Sequence, residues 1–494
     1  MKKTWVKILI AALILAAAAI AAAIVLDIRA NRPEQIRAYE HSINYFYADE
    51  EGATRFLVDS AVLEDRISGH VDSFLSGDGS AAVVRAGTGL YRVDKDGILL
   101  IHPAGVDRAL ISLDNRVIVF TTATEVHIYD HSTGKVEDIK PDSIVGVESI
   151  VLSPDGNTVG YTVKDKEGAY IAYAHENGQS KKLAESAYIM AVSDGAGFYY
   201  YIDPEDSSLW YVSDSRQRKL GTGVSSLVEF NRELTQAAFD MEGVTYYSVK
   251  GGKPKAIVSG ASVYSTKAEC TSLQGGEDCQ AEVKDCGSIF GCVFYGFKTS
   301  SEDESARVVY DLWYVDGRVR ATALARNAYK FALTDDKSRL SCLMTDNQLY
   351  IMNTGDPSSA QLVGTNVYSY NMSGDGSLFY CIGYDMGLYL VRELSAPVKI
   401  AEKAVYSVLT KDNKCLFLAN YDEAGDLYIT DGIKPIEAIA QDIVHVEAMP
   451  KVLFRYSAIY EDQYGKSVYD VYASEDGINW ELVIKGALQT SSEE

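Results

Sequence analysis

Residues 147–185 read VESIVLSPDGNTVGYTVKDKEGAYIAYAHENGQSKKLAE. Four short runs with strand character are separated by turns, of which Ser153-Pro154-Asp155-Gly156-Asn157 is the clearest. Variants of the unit recur about every forty residues, from near residue 40 to near residue 488. A unit this small cannot bury its apolar face alone, so copies must stack, and stacked four-stranded units make a β-propeller.

A ring side chain marks the third strand of each unit: Tyr91, His127, Tyr170, Trp210, Tyr246, Trp313, Tyr350, Tyr389, Tyr428 and Tyr469. Neighbouring anchors lie 36 to 43 residues apart, except that 67 separate Tyr246 from Trp313, so that unit carries an insertion. Upstream of most anchors stands a turn of the form Ser/Thr-x-Asp-Gly/Asn. Examples are Ser76-Gly77-Asp78-Gly79, Ser112-Leu113-Asp114-Asn115, Ser373-Gly374-Asp375-Gly376 and Thr410-Lys411-Asp412-Asn413. Asp hydrogen-bonds nearby backbone groups, and Gly or Asn tolerates positive φ, so these residues join the first two strands. The recurring carboxylates are therefore turn chemistry and not a row of catalytic groups. Asp94-Lys95-Asp96-Gly97 begins like a calcium loop but lacks the later ligands and the glutamate that such a loop needs.

The formal net charge is −23 over 494 residues. This disfavours nucleic acid as a partner, because phosphate contacts need a basic face. Ile8 to Leu26 is an unbroken apolar run of 19 residues, preceded by Lys2, Lys3 and Lys7. That is the length of a membrane-spanning helix, and the positive flank puts residues 1–7 in the cytoplasm and the bulk of the chain outside. An uncleaved signal anchor is expected over residues 8–26. The Ala-rich part, Ala16 to Ala23, leaves a cleaved signal peptide as the other reading. Residues 27–42, with Pro33, form a juxtamembrane stalk. Blades follow over 43–266, a Cys-containing insertion over 267–288, further blades over 289–488 and a tail over 489–494.

Ser153-Pro154-Asp155-Gly156-Asn157, followed by strand residues and Tyr170, resembles the repeat of TolB-type, WD40-like β-propellers. The resemblance implies a propeller that holds other proteins. Only this repeat keeps the full Ser-Pro-Asp-Gly form and no TolB-like N-terminal domain is visible, so a Tol-system role does not transfer. Ser474-Glu475-Asp476-Gly477-Ile478-Asn479-Trp480 resembles an Asp-box turn of sialidase-like propellers, and such boxes are structural turns.

The first strand of a propeller blade lines the central channel, and here it repeats a tyrosine. Tyr188, Tyr264, Tyr329, Tyr368 and Tyr406 sit in SAYIMAV, ASVYST, NAYKFAL, NVYSYNM and AVYSVLT. In a shared register their hydroxyls would line one channel mouth, where Tyr suits a ligand because its ring joins apolar area to a polar tip. The other reading packs these rings between blades. Tyr264, Tyr368 and Tyr406 each precede a serine (Ser265, Ser369, Ser407). Alternation sends the two side chains to opposite faces, so one of each pair can face the channel.

Cys292, Cys342, Cys381 and Cys415 fall in second strands as small core residues. Cys270, Cys279 and Cys286 lie in the insertion. Outside the membrane a disulfide among these three is expected over zinc, since no C-x-x-C pair or nearby His completes a metal site. No G-x-S-x-G elbow, H-E-x-x-H pair or Walker loop occurs. His127 and His131, four apart in a strand that runs into a turn, do not face one way. No catalytic residue, metal or cofactor is assigned.

Ten anchors and a partial repeat at Ile43 to Ser60 predict an all-β array of about ten four-stranded blades behind one N-terminal transmembrane helix. Propellers usually have four to eight blades, so two propellers divided near residue 267 are preferred to one large ring. The expected function is a membrane-anchored extracytoplasmic protein-interaction or sensing scaffold, non-enzymatic, with a protein or cell-surface ligand as partner. The alternative is a propeller hydrolase or lyase acting on extracellular glycan or peptide, which carboxylates meeting at the channel would favour. The insertion is expected to stand at a blade edge and to be expendable, since an added loop costs little closure entropy.

Overall fold

The computed structural model describes residues 43–488 apart from 49–52, 59–60, 70, 77–79, 113, 142–143, 215, 260–261, 265–271, 276–279, 285–291, 300–307, 317–319, 433–437, 449–451 and 462–466. The predicted anchor at 8–26, the stalk at 27–42, the tail at 489–494 and Cys270, Cys279 and Cys286 lie outside the described residues. Among the described residues no helix is long and apolar enough to cross a membrane.

The described strands fall into ten four-stranded antiparallel blades, one three-stranded sheet and one two-stranded hairpin. The three-stranded sheet comprises β1 (Ile43–Ala48), β2 (Ala53–Val58) and β3 (Ala61–Ser68). Blades 1 to 10 follow in chain order at residues 71–102, 108–139, 144–185, 188–221, 224–259, 262–328, 328–364, 367–401, 404–443 and 445–488. One long strand, Ala321–Leu333, ends blade 6 and begins blade 7, pairing first with Val308–Val315 and then with Arg339–Met344. All ten ring anchors stand in third strands.

Burial follows position within the blade. Second strands such as Leu378–Gly383 and Cys415–Ala419 are buried along their whole length, because a neighbouring blade covers each face. Their near-continuous apolar runs have this cause. Outer strands such as Lys135–Ile139 and Gln179–Glu185 are charged and mostly exposed, which blunts the sheet edge against pairing with other chains. Cys342, Cys381 and Cys415 are free thiols buried in second strands, and burial pushes the first two up to about 12.

Apolar clusters join each blade to the next. Ala238 and Tyr247 of blade 5 pack with Phe294 and Val315 of blade 6, and Val293 and Leu312 of blade 6 pack with Leu340 and Cys342 of blade 7. Two propellers divided near residue 267 would have parted at the first of these contacts. The stack instead returns on itself through β2. Phe56 packs among Val71, Ala82, Val84 and Val93 of blade 1, while Leu57 packs among Val452, Phe454 and Val471 of blade 10. β1 also pairs with the last strand of blade 10, with Tyr47 opposite Leu488 and Ala48 opposite Ala487. Successive strand residues face opposite sides, so a single sheet can be wedged between the first and last blades. The sheets therefore close as one ring within one compact unit, Tyr39–Glu494, and the preference for two propellers is corrected.

First strands of neighbouring blades approach one another; Asn371 of blade 8 donates to the Ser407 carbonyl of blade 9 at 2.9 Å. They are the innermost strands. Two strands of the insertion, Ser272–Gly275 and Gln280–Lys284, form a hairpin on the inner, channel-side edges of the blades. Gly275 pairs with Ile150 of blade 3, and Gln280–Lys284 run parallel to Leu227–Asn231 of blade 5. Between them lies the first strand of blade 4, Tyr188–Val192, whose five residues are all buried. Its side chains fill the cores on either side, Met190 and Ala191 with blade 5 and Ile189 and Val192 with blade 3, and the hairpin bridges the inner edges of blades 3 and 5.

Candidate functional site: a tyrosine face on blades 8 to 10

At the end of the ring where first strands finish, the Ser-x-Asp turns are structural. Ser153 Oγ donates to Asp155 Oδ1 at 2.7 Å and accepts from Thr158 N at 3.0 Å. Asp155 Oδ1 accepts from Asn157 N at 2.8 Å, and Gly156 takes a φ of +71°. Ser373 and Asp375 repeat the arrangement. So do Thr334 and Asp336, which the sequence pattern misses because Lys337 supplies the positive φ, +60°. Arginines tie one blade to the next: Arg92 donates to the Asn115 carbonyl at 2.7 Å and Arg392 to the Asp431 carbonyl at 2.6 Å. The Asp-box-like turn is closed in the same manner, with Asp476 Oδ1 accepting from Ile478 N and Asn479 N at 2.7 and 2.8 Å.

The opposite mouth is built from the beginnings of first strands and the loops between second and third strands. The five candidate tyrosines part company here. Tyr188 is 4% exposed, with its ring 4.6 Å from that of Tyr170, so it packs between blades 3 and 4. Tyr264 ends the strand Ser262–Tyr264, and its side chain lies outside the described residues. Tyr329 is half-buried at a bulge between Ala328 and Lys330. Tyr368 occupies the equivalent bulge of blade 8, between Val367 and Ser369, and is 52% exposed.

Tyr406 is 38% exposed but stands one residue out of register. The blade 9 bulge falls between Ala404 and Tyr406, so Tyr406 holds the ladder position of Ser369. The Tyr-Ser pairs are therefore not equivalent. In blade 9 the tyrosine opens to water, whereas Ser407 is buried and accepts from Asn371 Nδ2 at 2.8 Å.

Residues that sequence reasoning passed over enlarge the face. Tyr384 and Met386 lie in the loop after Leu378–Gly383, and Tyr421 in the loop after Cys415–Ala419; all three are exposed. The Tyr384 ring stands 5.4 Å from that of Tyr368, nearly perpendicular, and its hydroxyl donates to Asn347 Oδ1 at 3.1 Å. The Tyr421 hydroxyl donates to the Val444 carbonyl at 3.2 Å. The Tyr406 ring is 5.0 Å from His445. Burial, with Glu447 nearby, pushes the Tyr406 phenol up, and burial pushes His445 down. A repeated Tyr-Asp pair, Tyr384-Asp385 and Tyr421-Asp422, is the signal that could have found these loops.

Beside the face lies a cavity of about 310 Å³ lined by Asn366, Val367, Gly383, Asp385, Tyr389 and Val391 among others. Asp385 Oδ2 accepts from the Tyr389 hydroxyl at 2.6 Å and from Lys399 Nζ at 3.1 Å. The Tyr389 hydroxyl, the Gly387 N–H and Lys399 hold its carboxyl at about 2. The cluster is a fixed anion beside an aromatic platform, suited to stacking and hydrogen bonding. Among the described residues no group of three His, Cys, Asp or Glu converges to hold a metal ion. His127 is buried, stacked 4.7 Å from Phe120 and bonded through Nδ1 to Asp138 at 2.8 Å.

No family model matches the chain, and no curated protein matches it. Solved structures similar to it include a eukaryotic initiation factor (12% identity, 83% of this chain and 97% of that chain, TM-score 0.38). Others are the tricorn protease (9% identity, 89% and 58%, TM-score 0.31) and oligogalacturonate lyase from Vibrio parahaemolyticus (10% identity, 79% and 96%, TM-score 0.31). Likenesses of this size carry no argument about activity or partner.

Proposed function

We propose that the chain is a membrane-anchored extracytoplasmic β-propeller that serves as a non-enzymatic protein-interaction or sensing scaffold, and that it meets a protein partner with the tyrosine face of blades 8 to 10. The observation that carries this reading is the exposure of Tyr368, Tyr384, Tyr406 and Tyr421 at one mouth. Packed strands and bonded loops hold these rings open to water, although each ring would be more stable covered. Rigid apolar area with a polar tip is what protein interfaces use at their centres. The N-terminal apolar run with Lys2, Lys3 and Lys7 supports the anchor and the outward orientation.

The hydrolase or lyase reading would draw on Asp385. A general acid or base works best with a pKa near the working pH, and a carboxyl held at about 2 is far from it. This supports binding over catalysis at that cluster.

A photo-reactive side chain in place of Tyr384, compared with one in place of exposed Val398 on the outer strand of blade 8, tests the reading in intact cells. A discrete cross-linked partner is expected from position 384, absent from position 398 and lost when Tyr368→Ala is added. Equal cross-linking from both positions would contradict it.

A further inference from the structure

We infer that Arg455 of blade 10 is the recognition group of a second binding site, which takes a carboxylate carried by an apolar group. Arg455 is third in the strand Leu453–Glu461, opposite Val446 of the first strand and Tyr472 of the third. Leu453 pairs with Ala448, where the first strand finishes, so the site lies toward the end of the ring that carries the Asp turns. It is separate from the tyrosine face and stands without it.

The half-buried guanidinium is held against two rings, its carbon 4.3 Å from the centre of Tyr472 and 5.1 Å from that of Trp480. Trp480 is itself fixed, its indole N–H donating to the Gly477 carbonyl at 3.1 Å. Cation–π attraction sets the position of the group but uses none of its five N–H donors. Nε is buried with no hydrogen-bond partner, and among the described residues no carboxylate or carbonyl is bonded to the side chain. By contrast, Arg92 donates to the Asn115 carbonyl at 2.7 Å, Arg116 to Asp130 Oδ2 at 2.9 Å and Arg339 to the Gly376 carbonyl at 3.3 Å. In a chain with 69 acidic residues to 46 basic ones, arginine is not the side chain that is short of partners.

Of the three nitrogens Nε alone is both sealed and unpartnered, so the terminal pair opens outward. A carboxylate can accept two parallel N–H bonds from such a pair. A phosphate has the same geometry, but the net charge of −23 opposes a dianion more than a monoanion. Burial pushes the Arg455 guanidinium down, a cost that a bound anion offsets. Ile478 of the adjoining turn and Leu482, register partner of Tyr472, are exposed beside it, which gives an apolar group on the ligand a surface to cover.

The test titrates the full chain in detergent with N-acetyl-leucine, its uncharged amide and inorganic phosphate, reading tryptophan fluorescence because Trp480 lies against the site. A saturable change is expected with N-acetyl-leucine, and binding at least tenfold weaker with the amide and with phosphate. Trp480→Phe should lose the fluorescence change, which places the ligand beside that ring. Arg455→Gln should weaken N-acetyl-leucine binding at least tenfold, and Arg455→Lys, which keeps the charge without the fork, should fall between. If Arg455→Gln does not fold, the comparison of acid and amide on the unaltered chain decides. Absence of a saturable change, equal binding of acid and amide, or tighter binding of phosphate would each overturn the inference. So would a signal that survives Trp480→Phe, or unchanged binding by a folded Arg455→Gln chain.

Discussion

Phe56 and Leu57 are adjacent in β2, both fully buried, and lie against opposite ends of the chain: Phe56 against blade 1, Leu57 against blade 10. If this sheet closes the ring, both side chains are core residues of the whole propeller. Phe56→Ala should cost about 3–5 kcal/mol and Leu57→Ala about 2–5 kcal/mol, as large-to-small core changes do. Exposed Glu64→Ala on β3 should stay within about 0.5 kcal/mol. Urea unfolding of the three variants measures this. Losses below about 1 kcal/mol at both core positions would make β2 a dispensable edge.

The tyrosines should divide by position and not by motif. Tyr188→Ala removes a ring packed between blades and should cost about 3 kcal/mol or more. Tyr368→Ala removes an exposed ring and should cost less than about 1 kcal/mol. Melting curves compare them, and a large loss at Tyr368 would remove the argument for an open binding face.

Acid should loosen the Asp turns in a defined window. The N–H of Asn479 does most to depress the Asp476 carboxyl, against the opposing effect of burial, and brings it from 3.8 to about 2. A depressed carboxyl contributes stability above its unfolded pKa, and that contribution is lost as pH falls through the folded value. Asp476→Ala should cost on the order of 1 kcal/mol at pH 7, allowing for solvent screening. The gap to the unaltered chain should narrow between about pH 4 and about pH 2. A gap that stays constant with pH would show that the carboxylate charge has no part in the turn.

Orientation has its own test. Protease added to intact cells stripped of wall should degrade residues 43–488 and spare a short N-terminal fragment. Full protection of the ectodomain would overturn the proposed anchoring.

Most third-strand rings are legible in sequence because they occupy one ladder position at a nearly constant interval, whether Tyr, Trp or His; Tyr170 and Tyr469 stand three residues before that position, which Tyr173 and Tyr472 hold. Closure is not legible. Phe56 and Leu57 look like any strand residues, and the usual blade number argues for two rings. The insertion's polar composition reads as a surface loop because parallel backbone pairing with Leu227–Asn231 leaves no side-chain signature. Tyr368 and Tyr406 look equivalent because each precedes a serine, but a one-residue difference in bulge position separates them, and bulges carry no mark in the sequence. The loop residues Tyr384 and Tyr421 follow second strands and lie outside the repeating first-strand pattern.

The two ends of the described chain meet in one ring. Ala48 and Ala487 are register partners across that junction, and paired strand residues lie at Cα separations that a disulfide can bridge. The full chain carrying Ala48→Cys and Ala487→Cys should form this cross-link on mild oxidation. Peptide mapping should recover the linked pair from monomeric protein, and the melting temperature should rise relative to the reduced form. Oxidised monomer in which positions 48 and 487 remain unlinked, or pair only between molecules, would contradict a closed ring.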